Sequence, residues 1–599
     1  MKMTHSLLVH GIATFVLLSL STPHLAFTQE WLLPAIVKEG TPSDAFKYDP
    51  VVPANQGGTT LTNGSGGITQ DLKDQIPFHF INNGKPGNIS SFIGLGQGSE
   101  ETDVNTLGIP LNGPQGGGFD LSSFPQYIWS GFSYQIGPSQ GAFDPRGTAG
   151  SLTLVPWTQQ ALTTSEKFSR ITSTYSTAHI GQLSAGTKVK DQFAIVAGNS
   201  FDQVTGPAGS LSGRWGSGKI SGKYHILVTD QTAKNLQSFR SGASAQQTTL
   251  RYIPVLQMDS QLSSTSLLKT SVFFDSTYLR SDDPVRPTRT HVRQLGADSV
   301  YLFDAWKVGA GARSVDVNSV QISPPKEYLG NFQLTRSTVW NELLIEPSFQ
   351  VVGVSRKGFA PMGTLGVRKE LPPMEGSKAG VFARLSYNKK FPSLNDRYYV
   401  IRTPFFTFIG NPELQPEKVY TLTLGIDSSN AFASSSLEGY VQAKRNSKIN
   451  TYDAATNISS TGNGGSGAVS ALIHSLNVHP TGWLDLHNRL SLTHSNVEST
   501  QQQFQYLPKF SDALSADFHE AGDQPRWGVS PAARFSGKYL GVTQNLPGYA
   551  YFDLNAQVQL IKDVHLIGGI ENLTDRKLEL VEDSPLEGRY YTIGLSAQL

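Results

Sequence analysis

The chain of 599 residues contains no cysteine. Disulfide frameworks, cysteine-bound zinc and cysteine nucleophiles are excluded at once. Charge is scarce and balanced: 16% of residues are charged, and 48 Lys and Arg face 47 Asp and Glu, for a net charge of +1. Such a chain offers no basic field to a nucleic acid, so no nucleic-acid partner is expected. After residue 28 no apolar run approaches the ~20 residues of a membrane-spanning helix. Signatures of catalysis are missing too. His519-Glu520 lacks the second histidine of a zinc-protease motif, the 13 histidines form no close ligand cluster in sequence, and no nucleophile–base pairing stands out. Residues 462–467 fit a GxGxxG pattern, but in a Ser/Asn/Gly-rich setting with no buried strand before them. They read as a flexible loop rather than a dinucleotide site. No enzyme, no cofactor and no metal site is expected.

What is present begins with a leader. Lys2 and a short polar stretch precede an apolar run from Leu7 to Leu20, broken by Ser21, Thr22 and Pro23, and Ala26-Phe27-Thr28 resembles a small-x-small cleavage site. This reads as a secretory signal peptide over residues 1–28; the alternative is an uncleaved anchor. A chain of this size that leaves the cytoplasm without a helical anchor is periplasmic, secreted or a β-barrel.

Alternation decides among these. From Phe552 to Leu560 every second residue is apolar and the rest are polar. Leu484, Leu486, Leu490 and Leu492 alternate with Asp485, His487, Arg489 and Ser491, and the stretches 220–229 and 437–444 repeat the pattern. The last segment, from Tyr591 to Leu599, alternates to its end. A β-sandwich or propeller would also alternate, but its strands average about 5–6 residues. The long runs here, with charge and amide on the second face, fit a transmembrane barrel. If the barrel occupies residues 158–599, roughly 20 residues per strand and connection gives about 22 antiparallel strands. The region before it is rich in Gly, Pro, Asn and Ser with short apolar stretches, which suggests a small α/β domain.

That region carries a family resemblance. Leu107-Gly108-Ile109-Pro110-Leu111-Asn112, Phe119-Asp120-Leu121-Ser122-Ser123-Phe124-Pro125, Tyr134-Gln135-Ile136-Gly137-Pro138-Ser139 and Gly147-Thr148-Ala149-Gly150-Ser151-Leu152 follow in the order and spacing of the plug domain of TonB-dependent receptors. Phe391-Pro392-Ser393-Leu394 with Gly410-Asn411-Pro412-Glu413-Leu414-Gln415-Pro416-Glu417-Lys418, then Glu571-Asn572-Leu573-Thr574-Asp575 and Pro585-Leu586-Glu587-Gly588-Arg589, are similar to the family's barrel phrases. Three positions depart from the pattern. Gly94-Leu95-Gly96 lacks the usual Arg, Phe143-Asp144 replaces Tyr-Gly, and Leu107 stands where Asp is common. These departures imply a divergent gate, or a receptor opened in another way.

The resemblance implies an outer-membrane barrel of Gram-negative type with the plug inside its lumen: residues 1–28 a leader, 29–45 a periplasmic tail, 46–157 the plug and 158–599 the barrel. It implies import of a scarce, bulky solute, a cobalamin or a ferric siderophore. The partners would be TonB with its inner-membrane energising complex, outer-membrane lipids and the cobalamin or metal-chelate ligand, with the receptor itself a monomer. Leu33, Pro34, Ala35, Ile36 and Val37 are the candidate TonB box, an extended segment suited to β-strand addition; the alternative is a first plug strand. Ligand contacts are expected from Gln97, Glu100, Glu101, Asn112, Gln115 and Gly116 at the plug apex, and from Phe405, Phe406 and Phe408 on a long excursion, where an interfacial girdle or loop packing is the alternative. A diffusion porin, or an adhesin or surface receptor on the same barrel without TonB-driven transport, are the rival functions.

Overall fold

Backbone polar groups cannot stay unpaired in hydrocarbon, so a chain crossing a bilayer with strands must close its sheet. In the computed structural model it does. The last strand, Tyr590–Gln598, lies antiparallel to Lys167–Thr174, the first strand of the sheet, with Leu595 facing Ile171. The structure describes residues 79–82, 90–94, 99–121, 128–136, 147–156 and 167–598, the last span interrupted at 175–178, 187–191, 202–203, 218, 238–243, 283–286, 323, 373–375, 403–406, 454, 499–501, 523–524, 542–543, 563, 583 and 587. The expected leader, the tail with Leu33, Pro34, Ala35, Ile36 and Val37, and Gln97, Phe405 and Phe406 lie outside the described residues.

Twenty-five strand segments form the closed sheet among the described residues. Thr338–Trp340 continues Glu327–Arg336 along the same neighbour. Val400–Arg402 and Thr407–Ile409 lie on the connection between Lys378–Lys390 and Glu417–Ser429, which pair directly. Without these three, twenty-two spanning strands remain. Every stretch read from alternation is a strand: Tyr549–Ile561, Leu484–Val497, Ile220–Gln237, Ala433–Asp453 and Tyr590–Gln598. The two faces separate as alternation requires. Along Glu417–Ser429, Val419, Thr421 and Thr423 are buried, while Tyr420, Leu422 and Leu424 are 42%, 39% and 51% exposed. Trp215, Trp340, Trp483 and Trp527 are exposed at or beside connections on one rim, the placement of an interfacial belt.

The glycine-rich stretch 462–467 is not a loop. It runs inside the strand Ile458–Thr481, where the ladder to Ala433–Asp453 slips between Arg445 and Lys448. Gly464 takes φ +142 at this bulge, and a Cβ on Gly465 would lie 2.9 Å from the Ile449 side chain, so glycine here serves backbone geometry rather than looseness.

The leading region, expected to be a small α/β domain, is described only in part. Its described elements are strands and one 3-10 turn, Ser99–Glu101. Four strands form a sheet in the order Ile109–Pro110, Thr102–Thr106, Gly150–Pro156, Trp129–Ile136, with the middle pair parallel. His79–Asn82 and Ser90–Ile93 form a separate hairpin. Val104, Leu111, Trp129, Phe132 and Leu152 share one apolar core with Leu227, Ile253, Phe273, Tyr440 and Ile473, which belong to inward positions of barrel strands. Contacts to strands this far apart around the circumference put the sheet inside the barrel. Each large apolar side chain buried there contributes roughly 1.5–3 kcal/mol.

Candidate functional site

The two rims of the barrel differ. At one, neighbouring strands join through turns such as Ser217–Ile220, Ser263–Ser266, Phe303–Trp306 and Thr481–Leu484. At the other, long connections occur, among them 391–416, 498–509, 537–548 and 572–589. Below this loop-rich rim the inner sheet is bonded to the wall through Glu101.

There the 391–416 connection turns inward. Ser393 caps the short helix Leu394–Tyr398: its Oγ accepts from the Asp396 N–H at 3.1 Å, while Asp396 Oδ2 accepts from the Ser393 N–H at 3.0 Å, a reciprocal capping box. The Arg397 guanidinium donates to Glu327 on the wall. The Asn395 N–H donates to the Gln115 carbonyl at 2.8 Å, so the connection is bonded to the 112–118 loop of the inner sheet. Gly116 lies in the same contact; a Cβ there would sit 3.5 Å from Asn395 Nδ2. Gly410 closes the excursion with its N–H on the Tyr399 carbonyl, and a Cβ at that position would come within 2.7 Å of the Arg397 backbone.

Beneath the helix lies a cluster of charge. Glu101 is buried. Its Oε1 accepts from Lys390 Nζ at 3.0 Å, and its Oε2 accepts from Lys444 Nζ and from Thr148 Oγ1 at 3.0 Å. Burial alone would raise the carboxyl; the two lysines outweigh it and hold it down to about 2. Glu100, one residue earlier, faces Lys448 Nζ at 3.4 Å, and Lys448 also donates to Asp396 Oδ1 at 3.0 Å. Burial opposes ionisation of Glu100 and of Asp396 as well, and the lysines again prevail and lower both. Lys448 thus joins the inner sheet to the loop helix, and Lys390 and Lys444 join it to two strands of the wall.

The residues expected from sequence divide into three groups. Glu100, Gln115 and Gly116 do come together at the upper surface of the inner sheet. Glu101 and Asn112 are near them but engaged in structure: Asn112 Oδ1 accepts from the Val104 N–H at 2.6 Å, and its Nδ2 donates to the Thr102 and Gly117 carbonyls at 2.9 and 2.8 Å. Phe408 stands apart on Thr407–Ile409, its ring 6.3 Å from that of Tyr399, so it packs within the connection. Sequence reasoning missed Lys390, Lys444, Lys448 and Asp396. The available signal was inward parity, since Lys390 and Lys444 fall on the polar face of alternating strands. Together the mouth offers carboxylate, ammonium, amide and backbone groups, a set suited to hydrogen-bonding a bulky polar solute.

Comparison with known proteins bears on what this mouth serves. A family model described as "TonB dependent receptor-like, beta-barrel" matches residues 103–573. Among solved structures, the fold is shared with the "Copper transporter OprC" at 14% identity, covering 92% of this chain and 97% of that one with a TM-score of 0.74. It is shared with a mutant of the ferric enterobactin receptor PfeA from Pseudomonas aeruginosa at 12% identity, 94% and 100% coverage and a TM-score of 0.75. The siderophore receptor PiuA from Acinetobacter baumannii follows at 12% identity, 92% and 97% coverage and a TM-score of 0.73. At such identities the likeness is one of fold. No curated protein sequence matches the chain.

Proposed function

Because the chain belongs to the TonB-dependent receptor family and is therefore a β-barrel of the Gram-negative outer membrane, we propose that it imports a scarce, bulky solute, a ferric siderophore or a cobalamin, with energy delivered by TonB. The observation that carries this reading is the inner sheet packed into the barrel and anchored through Glu101 to Lys390 and Lys444. A diffusion porin needs an open lumen, so the sheet argues against that rival. Solute bound at the loop-rich mouth cannot pass until the sheet shifts, and the outer membrane has no nucleotide or gradient of its own to drive that shift.

In this reading residues 46–157 are the plug and 158–599 the barrel. The leader is removed at 1–28, and the tail 29–45 presents Leu33, Pro34, Ala35, Ile36 and Val37 to TonB by strand addition. Of the two cargo classes a ferric siderophore is preferred, since the fold neighbours include a ferric enterobactin receptor, a siderophore receptor and a copper transporter. Glu100, Gln115 and Gly116 then meet the solute, with Gln97, Phe405 and Phe406 as further contacts. Uptake of radiolabelled ferric siderophores and cobalamin, in cells with and without TonB, tests the proposal. Uptake of one of them that vanishes without TonB and on deletion of residues 33–37 supports it; uptake indifferent to both, or binding with no uptake, overturns it.

A further inference from the structure

Two polar side chains stand on the lipid face of the barrel. Along Leu484–Val497 the buried Arg489, Ser491 and Thr493 mark the lumen side, so Asn488 points outward with Leu486 and Leu492, which are exposed. Along Phe510–His519 the buried Asp517 faces the lumen, and Asp512 shares the outer face with the exposed Phe510 and Leu514. The two outward groups meet: Asn488 Nδ2 donates to Asp512 Oδ1 at 2.7 Å. Among the described residues no ion pair reaches this carboxylate, and Asn488 is its one side-chain partner.

The pair lies within the apolar band, not above it. Toward the loop-rich rim it is overlain by Leu492 and Phe510, which are in register with each other. Leu490 and Phe535 lie directly opposite Asp512 on the two neighbouring strands, and Leu514 follows two residues below. An ionisable group ringed by apolar side chains on a lipid face is costly, and hydrocarbon offers no donor to its remaining lone pairs. Beside the pair the wall is hollow. A cavity of about 500 Å³ opens on the same face and is bordered by Asn488. The small side chains of Ala516, Pro531 and Ala533 leave its floor low, with Leu486 on one side and Phe552 on the other.

We infer that this hollow binds a rigid polycyclic lipid that carries an alcohol, its rings against Ala516, Pro531 and Ala533 and its hydroxyl donating to Asp512. Three features select that chemistry. The carboxylate repels a phosphate head at the polar end of the hollow. The polar patch is two side chains wide among apolar neighbours, so the ligand brings one donor on an otherwise apolar body. A fused-ring body is already ordered and loses little conformational freedom on seating, unlike an acyl chain. A hydroxyl on a carboxylate is also a charge-assisted bond, strong in a dry setting. The site faces the membrane and is independent of the imported solute.

The test uses the full chain in phosphatidylcholine nanodiscs holding equal amounts of phosphatidylethanolamine and diplopterol, a polycyclic alcohol, with retained lipid counted by native mass spectrometry. Wild-type protein should retain diplopterol in preference to phosphatidylethanolamine. Asp512→Leu, which suits the lipid face and should insert normally, should bind diplopterol roughly ten- to a hundredfold more weakly, the worth of one hydrogen bond to a charged group. Diploptene, the dehydrated counterpart without the hydroxyl, should bind wild type as weakly as diplopterol binds Asp512→Leu. Ala533→Phe fills the hollow but keeps both polar groups, and should lower diplopterol retention as well. Equal retention of diplopterol and diploptene by wild type, or undiminished retention by either variant, overturns the assignment. Preference for phosphatidylethanolamine overturns the choice of ligand. The diploptene comparison needs no variant and decides alone if a substitution fails to insert.

Discussion

At the scale of single residues, Glu101 carries the most consequence. It is buried between Lys390 and Lys444, so neutralising it leaves two ammonium groups buried against a weaker acceptor. Glu101→Gln is expected to cost ~3–5 kcal/mol of inner-sheet stability, read as a lowered urea midpoint for unfolding of that sheet. The pH dependence follows from the same pair. The folded carboxyl is depressed to about 2 from an ordinary value of 4.5, so its stabilising contribution is fully present above 4.5 and is lost as pH falls from there toward 2. The urea midpoint should therefore drop across that window in wild type and change less in Glu101→Gln; identical pH profiles would contradict the assignment. Asn112→Ala removes three buried hydrogen bonds and orphans the Val104 N–H, and should destabilise the sheet by ~1–3 kcal/mol with no change in the barrel's heat-resistant gel mobility. Glu101 and Asn112 also mark the limit of the sequence. Their types and their place before and after a short strand suggested ligand contact, whereas the structure holds both in bonds of the inner sheet and the wall. Their roles did not show, because a carboxylate does not declare lysines that lie 289 and 343 positions away.

At the scale of elements, strands were the legible part. A period of two is imposed by hydrocarbon on one side and polar lumen on the other, and that environment is uniform enough to write itself into Tyr549–Ile561 or Leu484–Val497. Elements fixed by long-range contact were opaque. The glycines of 462–467 have loop composition, yet they lie in a strand because a long neighbouring strand supplies their ladder across a bulge. The helix Leu394–Tyr398 has only its capping box as a local signal, and its seat depends on Gln115 and Glu327. Two expectations follow. Leu424→Arg, on the outer face, should cost ~2–4 kcal/mol in bilayer refolding measurements, and Thr423→Ala, one residue away on the inner face, much less. Gly410→Ala should push the excursion away from the Arg397 backbone, weakening solute binding while leaving the barrel folded; unchanged affinity would mean that this connection does not shape the binding mouth.

For the whole molecule, the strand estimate from length, about 22, agrees with the twenty-two spanning strands, because membrane thickness fixes how much chain each crossing consumes. The composition of the leading region suggested helices as well as strands. Its described residues supply the strands, in a small sheet whose apolar partners lie on the wall. The central claim is that this sheet closes the lumen, and planar-bilayer conductance tests it most directly. Wild-type protein is expected to give no steady current, and deletion of residues 46–157 to open a large, steady pore. Wild-type protein that conducts as steadily as the deletion variant would contradict the account.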